Sequence, residues 1–130
     1  MNIEEVRDYC LSKKGATEDF PFDEVTLVIK VGGKMFALIS LDAEEKNVAL
    51  KCDPEYAVEL REKYDAVRPA WHFNKKHWNN VFLNSSVSEK NIKEWIDHSY
   101  EMVLKGMSKK MRDSIVGHSL NKKPIPTFSK

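Results

Sequence analysis

Between Val25 and Leu41 apolar and polar residues alternate in two runs, Val25 to Val31 and Lys34 to Leu41, separated by Gly32 and Gly33. Alternation of period two predicts two strands, and a glycine pair that accepts positive φ predicts the tight turn joining them. A third strand is expected at about Asn47 to Cys52, after the polar connection DAEEK. Helical spacing also recurs along the chain. Asn2 and Glu5 have capping-box spacing, and Ile3, Val6 and Cys10, with Tyr9, fall along one face of a first helix stopped by Gly15. Asp53 and Pro54 mark the start of a second, in which Tyr56, Ala57, Leu60 and Tyr64 recur as far as about Asp65. Ser88 caps a third, whose apolar stripe is Ile92, Trp95, Ile96, Ser99, Val103 and Met107. In it, Ser99 reads as a small residue that lets helix and sheet approach. Lys109 to Val116 suit one more turn or a short helix. Residues 16 to 24, ATEDFPFDE, read as an ordered connection, because Pro21 holds Phe20 extended, and Phe20 and Phe22 are expected to anchor it to the core.

The stretch RPAWHFNKKHWNNVFL, Arg68 to Leu83, reads as a second hairpin with strands at about 71–74 and 77–83 and Lys75 and Lys76 at its tip. The element order is then α-β-β-β-α-β-β-α. This predicts an α+β fold, a two-layer sandwich in which five mostly antiparallel strands carry helices on one face. The other sheet face is left to solvent or to a partner. Residues 1–116 are expected to form a single domain, and 117–130, GHSLNKKPIPTFSK, a mobile basic tail.

Composition narrows the class. With 42% hydrophobic and 32% charged residues the chain is that of a globular protein, and no apolar run is long enough to cross a bilayer. The start, MNIEEVRDYC, lacks the basic leader and apolar stretch of a signal peptide, so a cytoplasmic protein with no membrane partner is expected. Cys10 and Cys52, far apart, read as buried, reduced thiols. The formal charge of +1 divides into +6 over residues 105–130 and −5 over the first 104. Counterion release scales with the number of phosphates neutralised, so any nucleic-acid contact has to be local.

Several pieces recur in a fixed order: Phe20-Pro21-Phe22, Gly33-Lys34-Met35-Phe36-Ala37-Leu38, Leu50-Lys51-Cys52-Asp53-Pro54-Glu55, Leu60-Arg61 with Tyr64, Arg68-Pro69-Ala70, Lys76-His77-Trp78 and Ser99-Tyr100. In that order and spacing they resemble the MmcQ/YjbR-like proteins, from about Asn2 to Met107. The resemblance implies a topology similar to type III secretion chaperones, grouped in some schemes with frataxin-like folds. It also implies DNA binding through a double-wing arrangement of sheet and hairpins. The extension after about Met111 departs from the family's shorter end, and nothing carries over onto it.

Two readings compete at Lys75 and Lys76 with Trp71, His72, His77 and Trp78. In one the lysines contact phosphates and an exposed aromatic stacks on a base; in the other both tryptophans pack in the core and the lysines keep a turn soluble. Lys51 and Arg68 extend the basic stripe in the first reading. Lys34, beside Gly32 and Gly33, belongs to a second wing or to a plain turn. His72, His77, His98 and His118 have no Cys or carboxylate at ligand spacing, so neither a metal nor another cofactor is expected. Glu4, Glu5, Asp8, Glu18 and Asp19 read as a solvated helix face and loop. No base can be assigned to Cys10, Cys52 or the Ser99-Tyr100 pair, so no catalytic residue is expected. The expected function is a non-enzymatic, monomeric DNA-binding protein using Lys34, Lys51, Arg68, Trp71, His72, Lys75, Lys76, His77 and Trp78. The alternative is a protein-interaction or chaperone-like module that holds a peptide on its open sheet face or an edge strand. Lys109, Lys110, Arg112, Lys122 and Lys123 form either a polyanion-binding arm or a solubilising terminus.

Overall fold

The computed structural model of the protein describes residues 1–70 and 73–117. Helix starts follow the capping residues. Asn2 opens α1 (Ile3–Leu11): its side chain accepts from the Glu5 amide (2.8 Å) and the Glu5 carboxylate accepts from the Asn2 amide (2.9 Å). Two orphan donors of the first turn are thereby satisfied. Asp53 opens α2 (Pro54–Lys63), Ser88 opens α3 (Glu89–Lys105) and Ser108 opens α4 (Lys109–Val116), each accepting from amides of its own first turn. No helix among the described residues is long and apolar enough to cross a membrane.

The strands β1 (Ala16–Asp19), β2 (Thr26–Val31), β3 (Lys34–Ser40), β4 (Asn47–Lys51), β5 (Val67–Pro69) and β6 (Trp78–Phe82) form one antiparallel sheet in the order β1-β2-β3-β4-β6-β5. The α+β class is as expected, with six strands rather than five. β1 is the added one: Ala16 pairs with Val31 and Asp19 with Val28, where the sequence predicts only a connection. An edge strand with three of its four residues exposed has no apolar alternation to betray it. Phe20 and Phe22, expected in the core, are 46% and 61% exposed. The Asp23 carboxylate accepts from the Val25 and Thr26 amides, a local turn that leads straight into β2 and leaves both rings outside the core.

The second hairpin also differs. The partner of β6 is β5, a few residues earlier than the expected strand at 71–74, of which Trp71 and His72 lie outside the described residues. Phe73 and Asn74 belong to consecutive turns: the Phe73 amide donates to the Ala70 carbonyl (3.1 Å), the His77 amide to the Asn74 carbonyl (3.0 Å) and the Lys76 amide to the Asn74 side chain (3.0 Å). These local bonds displace ladder pairing. Pro69 is tolerated because β5 is an edge.

All four helices lie on one face of the sheet. There Ile29, Val31, Ile39, Val48, Leu50 and Val81 pack against Val6 and Cys10 of α1, Ala57 and Leu60 of α2, and Ile92, Trp95, Ile96 and Val103 of α3, with Ile115 of α4 at the margin. A bulge in β3 makes Phe36 an extra residue, since Ile29 pairs with Ala37 and Lys30 with Met35. The Phe36 carbonyl accepts from the Ser99 hydroxyl (2.6 Å), which in turn accepts from the Lys51 amide (2.9 Å). Ser99 therefore joins α3 to two strands, beyond allowing a close approach. On the other face Val28, Leu38 and Ala49 are buried under Ala70, Phe73 and Trp78, with Met35 alongside. The expectation of an open face is corrected over its centre, where Ala70 and Phe73 of the β5–β6 connection pack, while Thr26, Lys30, Ser40 and Asn80 on the same face stay partly exposed.

Candidate nucleic-acid interface

Antiparallel register decides which side chains share an end of the sheet. At one end β2 turns into β3 through Gly32 and Gly33, β4 finishes at Lys51 and β6 begins at Trp78. Beside them α3 finishes at Lys105. Lys51, Asn74, His77, Trp78, Met102, Lys105 and Gly106 line an open groove of about 500 Å³ at this end. Among the described residues no carboxylate forms an ion pair with Lys51, Lys76 or Lys105. The groove is therefore cationic, and a phosphate entering it would meet donors from β4, the turn and α3.

The turn that brings His77 into the groove is held from both sides. The Cys52 amide donates to the His77 carbonyl (2.7 Å) and the Ala70 amide to the Trp78 carbonyl (3.2 Å). Trp78 lies 5.8 Å from Phe73 between ring centroids, over the small second core. Next along the chain, the Asp53 amide donates to His98 Nε2 (3.1 Å), so this nitrogen is an acceptor and the imidazole is neutral. Burial, the largest influence, lowers the His98 pKa from its ordinary 6.5.

The structure distributes the predicted residues unequally. Lys51, His77 and Trp78 meet in the groove. Lys75 and Lys76 are exposed on the adjoining turn, and Lys76 also borders a shallow surface with Pro54, Glu55, Val58 and Arg61. Lys34 is exposed at the Gly32-Gly33 turn, at the same end of the sheet. Gly32 has φ +58°, and a Cβ there would stand 2.7 Å from the Met107 methyl and 2.9 Å from an Ile115 methyl, so this turn is also where α4 packs. Arg68 is elsewhere: its guanidinium lies 4.6 Å from the Phe82 ring centroid and its Nε donates to the Asp65 carbonyl (3.3 Å). Phe82 is four residues along β6 from Trp78, roughly 13 Å at strand spacing. Trp78 itself is only 9% exposed, so it forms groove wall and offers no free face for a base to stack on. Trp71, His72, His118, Lys122 and Lys123 lie outside the described residues. Lys105 and Arg61 were not among the predicted residues; Lys105 sits three positions after Met102 on α3, a spacing that places it at the groove only once the register of β4 is known.

Catalytic chemistry finds little to build on. Cys10 and Cys52 are free and buried, and burial pushes each thiol up to about 12. A cavity of about 10 Å³ between Cys52, Asn79, Trp95 and His98 has room for one water, too little for a substrate. Asn79 donates to the Ala57 carbonyl (3.3 Å), while its buried Oδ1 has no hydrogen-bond partner among the described residues. No group of three His, Cys, Asp or Glu among the described residues is placed to hold a metal ion.

Known proteins share this fold and sequence. A family model described as YjbR matches residues 11–102. A protein named YjbR from Escherichia coli (strain K12) is 34% identical over 116 residues, covering 89% of this chain and 98% of that protein. YbdF of Escherichia coli O157:H7 is 33% identical over 91 residues, covering 70% and 75%. The crystal structure of a Deinococcus radiodurans protein superimposes with a TM-score of 0.81 at 35% identity, covering 87% of this chain and 86% of that one. A Pseudomonas syringae protein gives a TM-score of 0.68 at 28% identity, covering 78% and 98%. Family model, sequence relatives and solved structures agree: the chain belongs to the YjbR family.

Proposed function

We propose that the protein is a non-enzymatic DNA-binding module that holds a phosphate backbone at the basic end of its sheet. The observation that carries this reading is the convergence of Lys51, His77 and Lys105 on one groove, with Lys75 and Lys76 on the adjoining turn. Lys34 and the Gly32-Gly33 turn supply a second contact at the same end. With Trp78 packed away, binding rests on phosphate contacts rather than on base stacking, and so is tolerant of sequence. The raised thiol pKa values and the engagement of His98 with a backbone amide support a role without covalent or general-base chemistry.

Fluorescence anisotropy of a labelled DNA duplex tests it. Affinity is expected to fall with salt, and Lys51→Ala/Lys105→Ala to reduce the slope of log affinity against log salt by about one to two. Absence of binding at low salt, or a slope unchanged in the variant, contradicts the proposal.

A further inference from the structure

Of the six large apolar side chains left exposed among the described residues, Val58 and Met111 stand on helices, whereas Phe20, Phe22, Val25 and Leu41 gather at the end of the sheet opposite the basic groove. The register makes them neighbours. Thr26 pairs with Ser40 and the Leu41 amide donates to the Val25 carbonyl (2.8 Å), so Val25 and Leu41 stand side by side where β2 begins and β3 ends. Phe20 and Phe22 belong to the connection that enters β2 at that point, its bend fixed by Asp23.

The same end is acidic. Residues 17–24 and 41–46 carry seven carboxylates and one lysine, and the ammonium of that lysine, Lys46, is turned onto the carbonyls of Leu41 and Ala43. Glu18 and Asp19 are engaged by Arg7 (2.5 Å) and Lys30 (3.6 Å), whereas Glu24, Asp42 and Glu44 form no ion pair among the described residues. Alongside runs β1, an edge strand with a sheet neighbour on one side only among the described residues.

An apolar patch with a charged rim marks an interaction site, and the sign of the rim selects the occupant. Carboxylates repel nucleic acid and anionic lipid; they attract cations. Two exposed aromatic rings add apolar contact and cation–π attraction. We propose that this end docks an extended, lysine- or arginine-rich segment of a partner protein. Its apolar side chains lie over Phe20 and Phe22, its cations meet Asp23, Glu24 and Asp42, and the free edge of β1 offers it main-chain hydrogen bonds. The inference is independent of DNA binding, since it uses the opposite end of the molecule.

The test is anisotropy of a labelled peptide, Lys-Leu-Lys-Leu-Pro-Lys-Leu, beside a control with Glu in place of each Lys. The lysine peptide is expected to bind and the glutamate peptide not to. Phe20→Ser/Phe22→Ser is expected to weaken binding by about tenfold or more, because a well-placed apolar side chain contributes at least that much. Both rings are exposed, so the variant keeps its fold, which circular dichroism checks. Lys51→Ala/Lys105→Ala is expected to leave peptide binding unchanged. No binding of the lysine peptide, equal binding of the glutamate peptide, or full binding by the double serine variant overturns the proposal. So does a salt-sensitive dimer in sedimentation that both Phe22→Ser and Lys51→Ala abolish, which would assign the patch to a second copy of this chain.

Discussion

Each end of the sheet has an aromatic pair beside a short polar connection, and the two ends use them in opposite ways. At the basic end Phe73 and Trp78 lie over Val28, Leu38 and Ala49, and Asn74 ties the backbone into turns, so lysines are what the solvent meets. At the acidic end Asp23 ties the turn instead, and Phe20 and Phe22 stay out with carboxylates around them. Aromatic content alone therefore does not locate a binding surface. The hydrogen bonding of the connection decides whether its rings or its charges face outward.

This comparison can be broken by mutation. Trp78→Ala should cost about 3–5 kcal/mol in urea unfolding, as for removal of a buried indole, and should free the turn that positions His77. Ser99→Ala should cost about 2 kcal/mol, because the Phe36 carbonyl and the Lys51 amide both lose a partner on the basic side of the core. A smaller effect is expected with pH. The folded His98 pKa is lowered, so the neutral form is favoured and its contribution is fully present above about pH 6.5. It is lost as pH falls through the depressed folded value. His98 also feels Asp53 and Glu101, which favour its charge, and Lys105, which opposes it. Urea midpoints between pH 7 and 5 should fall more in wild type than in His98→Gln; equal slopes would remove His98 from the account. The smallest effect belongs to Phe22→Ala, within about 0.5 kcal/mol as for an exposed position. A cost matching that of Trp78→Ala would erase the distinction between the ends.

What the sequence made legible follows from the range of the forces involved. Asn2, Asp53 and Ser88 act on amides two or three residues away, so helix starts could be read from spacing alone. The stripe from Ile92 to Val103 is likewise a local pattern, and it is buried throughout. β1 was hidden because an exposed, acidic edge strand owes its existence to pairing with β2, a long-range fact. Of the strand expected at 71–74 on the alternation of Trp71 and Phe73, the described residues Phe73 and Asn74 stand in turns because Asn74 bonds locally. Apolarity points Phe20 and Phe22 to the core, but it does not say whether the chain can carry a side chain inward. Lys51 is legible as an extension of a basic stripe and His77 as part of the hairpin tip, but their meeting with Lys105 depends on how α3 crosses β4.

Opposite ends of one sheet hold opposite chemistries, and the proposed DNA contact belongs to the basic end. The most direct measurement is a titration of ¹⁵N-labelled protein with a short DNA duplex, followed by amide chemical shifts. The account predicts perturbations at Lys34, Lys51, Asn74 to His77 and Met102 to Gly106, and none at Phe20 to Glu24 or Asp42 to Glu45. Shifts concentrated at the acidic end, spread evenly over the surface, or absent at low salt would contradict it.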